Sequence, residues 1–371
     1  MEFSKLTDYL DHLAEHGIPG CELIVHQNYK EIYHHMTGTG KKGMPITGKE
    51  MYWLYSLTKV LTMSTLMRLM ELGVFSLHDP VSRYLPSYKD LCVRDGMEIR
   101  KARTVMTMCH LMTMQGGLPG YDAPAIERGI RRYHGHPTTQ EMTACFAEDP
   151  LLFDPGDGFR YGLCHEAAGA AAEAAAGAPL RELARELILD PLGIENLTFH
   201  PDKEQCGQLA AAYRRAEGKV IEVEHPTLSL IGLPEYDSGG AGLMGNAAAF
   251  IPLADALANG GVGANGARIL TRESIDRMRC NRQSGKALAD FKKIGHKRGY
   301  GYGLGVRTLM DRTTSKSPVG EFGWDGAAGA YALMDPDNHI AAVLVQHVLD
   351  DLDTFYIHHP TIRDLIYEGL Q

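Results

Sequence analysis

The chain has 371 residues, 37 basic and 46 acidic side chains and a formal charge of −9, with 44% hydrophobic and 22% charged residues. At roughly 150 residues per domain the length suits two or three domains or one large two-lobed unit, and the composition excludes a disordered chain or a small stapled scaffold. The acidic excess argues against a nucleic-acid partner, which calls for a basic face.

Seven scattered cysteines without a C-x-x-C pair give neither a disulfide framework nor a zinc knuckle and fit a reducing compartment. No segment reads as a signal-peptide h-region or approaches 18 uninterrupted apolar residues, so the expectation is a cytoplasmic protein without a membrane span.

In chain order, residues 1–10 mix acids and apolar residues at helical spacing and predict a first helix. Cys21 to His26 and Glu31 to Met36 are β-rich runs around Gln27-Asn28-Tyr29-Lys30, which predicts a hairpin. The glycine-rich turn from Gly38 to Gly43 lacks the spacing that places a lysine on phosphates. Ser56 to Leu72 is rich in helix formers and poor in charge, with Gly73 as a stop, so it predicts a nearly all-buried helix. Met63, Met67 and Met70 read there as core filling.

From about 85 to 290, helical segments alternate with Pro/Gly-rich loops, and β-rich patterns return only near the C-terminus. Within this stretch, Ala167 to Ala176 predicts a helix ended by Gly177 and Pro179. Tyr302 to Leu309, Ala328 to Met334 and Ile340 to His347 predict strands, the last two joined by the turn Asp335-Pro336-Asp337-Asn338, with a final helix from about Pro360. The two sets of strands must share one antiparallel sheet, since neither alone has enough partners to be stable. The expected layout is a sheet domain of residues 1–85 and 290–371, with residues 86–289 as a mainly helical domain and the active site between them.

Ser56 is the only serine with a lysine three residues on, in Ser56-Leu57-Thr58-Lys59. On a helix those positions share a face, so an ammonium and the positive end of the helix dipole flank the hydroxyl and favour its alkoxide. The competing reading is an N-cap serine and a solvated lysine. His34-His35, His134-Gly135-His136 and His358-His359 lack companions at ligand spacing, so no metal or other cofactor is expected. Cys164 and His165 diverge as consecutive helical residues and do not make a nucleophilic pair.

Around Ser56, the flanks Met51 to Tyr55 and Glu71 to Val81, the segment His110 to Pro119, and Phe153-Asp154-Pro155-Gly156-Asp157-Gly158-Phe159-Arg160-Tyr161 resemble, in order, the serine β-lactamase and penicillin-binding protein superfamily. The resemblance is greatest to its class C-like branch and the family VIII esterases. It implies an α+β, β-lactamase-like fold. It also implies that Ser56 attacks the acyl carbon, that Lys59 shares its proton, and that Tyr161 acts as general base and then acid, with the lysine lowering the phenol pKa. Trp324-Asp325-Gly326 stands where the family has K-T-G, and the amides of Ala327 and Ser56 would form the oxyanion hole. Gly239 to Leu243 resembles a cleft-lining S-G-G-x-G-L loop.

Two departures carry meaning. Tyr161-Gly162-Leu163 replaces Y-x-N, putting Leu163 where an amide would meet substrate, and Trp324 replaces a lysine that would bind a substrate carboxylate. Both favour small neutral acyl esters over β-lactams. The expectation is a serine hydrolase that acts through a covalent acyl-enzyme on a small-molecule acyl substrate, a carboxylesterase or a transacylase; the alternatives are a D-amino-acid peptidase, carboxypeptidase or weak β-lactamase, and a non-catalytic scaffold or ligand-binding protein retaining the fold.

Overall fold

A computed structural model describes residues 1–41, 43–224 and 228–371. Lys42, within the glycine-rich turn, lies outside the described residues. The first helix, α1 (Ser4–His16), leads into the hairpin β1 (Gly20–Gln27) and β2 (Lys30–Gly38). Asn28 and Tyr29 close that hairpin with φ of 49° and 65°, the left-handed pair a two-residue turn needs to match strand twist.

Next come the helix α2 (Thr58–Glu71), the alanine-rich α3 (Cys164–Ala176), α4 (Ala247–Ala258) and α5 (Gly285–Lys292). Strands β3 (Tyr300–Tyr302), β4 (Arg307–Leu309), β5 (Phe322–Asp325), β6 (Tyr331–Asp335) and β7 (Ile340–Gln346) follow, and α6 (His359–Gly369) ends the chain. One seven-stranded antiparallel sheet runs β3-β4-β5-β6-β7-β1-β2, so N- and C-terminal segments do share a sheet. Leu23 faces Leu344 and Val25 faces Ala342 across the β1–β7 pair.

Alternation along these strands sorts the core into two layers. Leu23, Val25, Ala342 and Leu344 pack with Leu6, Leu10 and Leu13 of α1 and Ile362 and Ile366 of α6. Ile24, Ala341, Val343 and Val345 face the other way, into the larger core with α2, α3 and α4. Met63 and Met67 are buried there and Met70 packs against it.

Several expectations shift. The run Tyr302 to Leu309 is two strands, because Gly303 to Val306 form a turn in which Gly305 (φ 78°) brings the backbone onto Met63 and His165. A β-carbon at Gly305 would lie 2.1 Å from Met63 Cγ. The strand expected from Ala328 starts at Tyr331, and β5 precedes it, its short run of Phe322, Gly323, Trp324 and Asp325 carrying no alternating pattern. The middle region also holds strands: hairpins Cys92–Asp95 with Glu98–Lys101 and Ala212–Ala216 with Lys219–Val223, the latter joined by Val348–Leu349 in parallel. Their exposed, charge-rich faces hid them from a reading of hydrophobic pattern.

Candidate active site

Ser56 sits on a single 3₁₀ turn, Tyr55–Leu57, between the short strand Tyr52–Trp53 and α2. Tyr55 has φ of 45°, a strained value for a bulky residue. It turns the chain so that Ser56 stays partly exposed while Tyr55 and Leu57 are buried. Thr58 fixes the turn, its hydroxyl donating to the Tyr55 carbonyl and accepting from the Leu243 amide at 3.0 Å.

One turn into α2, Lys59 is fully buried, with Nζ 3.0 Å from Ser56 Oγ. Nζ also donates to the Gly240 carbonyl at 2.6 Å and reaches the Tyr121 hydroxyl at 3.5 Å. Burial pulls the Lys59 pKa down to about 7, against the upward pull of Glu166 and Asp325. Neutral and charged forms therefore coexist near neutral pH, and the neutral amine is able to accept the Ser56 proton.

Tyr161 lies in the loop that enters α3, its ring centroid 4.8 Å from Lys59 Nζ. Its oxygen accepts a hydrogen bond from Trp324 Nε1 at 2.9 Å and shares one with the Ser56 hydroxyl. Ser56 and Lys59 thus converge at one point with Tyr161, which follows Ser56 by 105 residues in the chain. The expected lowering of the phenol pKa is reversed: burial raises it, and the bonds from Ser56 and Trp324 offset only part. Burial disfavours whichever form is charged, so it makes the lysine the better base and keeps the phenol protonated.

β5 supplies the opposite wall. Trp324 stacks on Tyr161 with centroids 5.5 Å apart and meets Tyr302 edge-on at 5.1 Å. A β-carbon at Gly326 would lie 2.2 Å from the Leu54 carbonyl oxygen, so only glycine lets this strand lie against the segment carrying Ser56. Gly326 donates to Ala330 at 2.7 Å, while among the described residues the Ala327 amide meets no backbone acceptor. Asp325 pairs with buried Lys297, whose Nζ stands 5.3 Å from the Trp324 ring centroid.

Leu163 is a correction. It is the N-cap residue just before α3, with its side chain wholly buried in the core, and presents nothing to a ligand. One helical turn on, Glu166, which no sequence motif marked, holds the polar role in this region. Its buried carboxylate accepts from Tyr121 (2.9 Å), Tyr236 (2.7 Å), Ser238 (2.9 Å) and the Gly240 amide (3.2 Å). It thereby fastens the Gly239 to Leu243 loop against Lys59. A β-carbon on Gly240 would strike the Tyr121 hydroxyl at 2.0 Å, which accounts for glycine there. The signal available in sequence was the glycine pair of that loop.

The remaining candidates have structural partners. His34 bonds Glu22 and His35 bonds Asp11, on opposite faces of β2. Among the described residues no group of His, Cys, Asp and Glu is arranged to hold a metal. Cys164 is buried with its pKa raised to about 11, and His165 is held neutral by burial, its Nε2 at 3.2 Å from the Met112 carbonyl. No helix among the described residues is long and apolar enough to cross a membrane.

The sheet and its flanking helices have the β-lactamase-like fold, and the relatives of the chain are consistent with the class of serine hydrolases. The beta-lactamase family model matches residues 6–364, and the chain belongs to that family. It is 26% identical to Protein Rv1367c of Mycobacterium tuberculosis over 322 residues, covering 83% of this chain and 80% of that protein. Esterase EstB of Burkholderia gladioli is 27% identical over 266 residues, 63% of this chain and 64% of EstB. Among solved structures, EstCE1, described as a hydrolase with promiscuous acyltransferase activity, superposes with a TM-score of 0.82 over 98% of both chains at 24% identity.

Proposed function

We propose that the protein is a carboxylesterase working through a covalent acyl-enzyme on Ser56. The observation that carries the reading is the Ser56 hydroxyl held between Lys59 Nζ and the Tyr161 oxygen, with the lysine pKa drawn to about 7.

In the first half-reaction neutral Lys59 takes the Ser56 proton as Oγ bonds to the acyl carbon. The carbonyl pair moves onto oxygen, facing the amides of Ser56 and Ala327. When the intermediate collapses, the C–O bond to the leaving group breaks and Tyr161 protonates the departing oxygen. Tyr161 is reprotonated by the Lys59 ammonium, which restores the neutral amine. Water then repeats the sequence on the acyl-enzyme, its proton passing to the same pair and from there to Ser56 Oγ.

Trp324 and the burial of Leu163 support esters over β-lactams, because the cation and the amide those substrates would use are replaced by apolar groups. The likeness to EstB supports the same choice. Hydrolysis of p-nitrophenyl butyrate tests the proposal: Ser56→Ala should abolish it, and a fluorophosphonate should add to Ser56, read by intact mass. Full activity in Ser56→Ala overturns the assignment, and rapid nitrocefin turnover without ester turnover favours the peptidase or β-lactamase alternative.

A further inference from the structure

Beside Tyr161 lies a cavity of about 390 Å³ that no step above uses. Leu152, Phe153, Phe159 and Ile294 give it an apolar wall. Its rim carries three cations, Arg160, Lys286 and Lys293, against one carboxylate, Asp290. In a chain of charge −9 that local excess runs against the whole.

The partners of these groups decide which cation is available. Asp290 accepts from Lys286 at 2.8 Å and Lys293 at 2.7 Å and takes a longer bond from the Phe159 amide at 3.4 Å. One carboxylate thus serves two ammonium groups, whose side chains remain 65% and 76% exposed. Arg160, which has no ion pair among the described residues, adds its charge to that of the lysine pair, so the positive excess is spread over all three cations. Lys286 also stands 5.3 Å over the Phe153 ring, joining the charged rim to the apolar wall. At Gly158 a β-carbon would come within 2.9 Å of Lys286 Nζ and 3.0 Å of Asp290 Oδ2, so the absence of a side chain there lets the pair sit close to the loop.

We infer that this cavity receives the leaving group of the ester, and that it selects leaving groups that carry a carboxylate on an apolar or aromatic body. The inference rests on the esterase reading for one step: Tyr161 edges the cavity and is the group proposed to protonate the leaving oxygen. The lysine missing at position 324 is thus replaced, from another direction, by Lys286 and Lys293. The body lies along Phe153 and Phe159 and the carboxylate joins Asp290 in sharing the two ammonium groups.

The test compares 3-acetoxybenzoate with 3-acetoxybenzamide, which differ in the charge of the leaving group. The wild-type protein at low salt should favour the acid by roughly two- to fivefold in kcat/KM, the range for exposed charge pairs, and 0.5 M salt should erase most of the preference. The Lys286→Glu/Lys293→Glu double variant should lose it, whereas Lys292→Glu, an exposed reversal outside the cavity, should keep it. Equal rates for acid and amide, or a preference that survives the double reversal, overturn the inference. Calorimetric binding of 3-hydroxybenzoate to Ser56→Ala protein, with and without the double reversal, reads the cavity without turnover. Binding that the reversal removes upholds the site even if ester hydrolysis is absent, and binding indifferent to the reversal rejects it.

Discussion

Two clusters of buried charge flank β5, and they are built on opposite plans. In one, Lys297 pairs directly with Asp325, and Arg307 with Glu321 at 3.1 Å, each cation meeting its own carboxylate. In the other, Lys59 hydrogen-bonds a hydroxyl, a carbonyl and a phenol and faces the Tyr161 ring, while Glu166, which pulls its pKa upward, spends its oxygens on Tyr121, Tyr236, Ser238 and the Gly240 amide. Direct pairing holds charge in place; interposed neutral donors leave a cation desolvated and ready to lose its proton. The first plan suits a support, the second a base.

The contrast is most open to attack at Lys59. Lys59→Met should lower kcat/KM for p-nitrophenyl butyrate by at least about a thousandfold, toward the upper end of what a general base contributes. A fall of less than tenfold would place the base elsewhere. On the supporting side, Lys297→Met leaves Asp325 buried and unpaired, and denaturant unfolding should report a loss of about 3–5 kcal/mol. Lys297→Met/Asp325→Asn should recover much of it, because no orphan charge remains; a double variant as unstable as the single would show that packing, not charge, is the cause.

Trp324→Phe retains the stacked ring and removes the indole donor to Tyr161. About a tenfold drop in kcat is expected for one lost hydrogen bond of ordinary strength, with little change in stability. The smallest effect is a displacement of the pH profile. Lys59 is neutral above about 7, so kcat/KM should rise with pH through that value. Glu166 pulls the lysine pKa upward, and Glu166→Gln removes that pull, so the rising limb should move to lower pH. A limb that stays in place would mean that Glu166 acts on the loop alone.

The parts legible in sequence were those whose signals are local. The hairpin follows from a β-rich pair around Asn28-Tyr29, α2 from its helix formers, and the positions of Ser56, Lys59, Tyr161 and Trp324 from short ordered motifs. Glu166, Tyr121 and Lys297 carried no such mark. Their roles arise from contacts spanning tens of residues, Tyr121 to Glu166 across 45 and Lys59 to Gly240 across 181. The phenol pKa went the wrong way for the same reason: a neighbouring ammonium is visible in a motif, while complete burial is a property of the folded molecule. The strand split at Gly303 to Val306 was hidden because its need for glycine comes from Met63 and His165, far off in the chain.

The pairing of β1 with β7 has a consequence for how the molecule comes into being. During synthesis β1 waits beside an empty place until residues 340–346 follow it, and the Glu2 amide finds its acceptor only at Gly369, at 2.9 Å. Closing so long a loop is slow, and a nascent chain exposes an unmatched strand edge meanwhile. Trimming the last two elements should therefore cost the hydrolase its first strand as well as its last, and a circular permutant that joins the neighbouring ends and opens at the exposed tip near Met97 should assemble faster than the natural order.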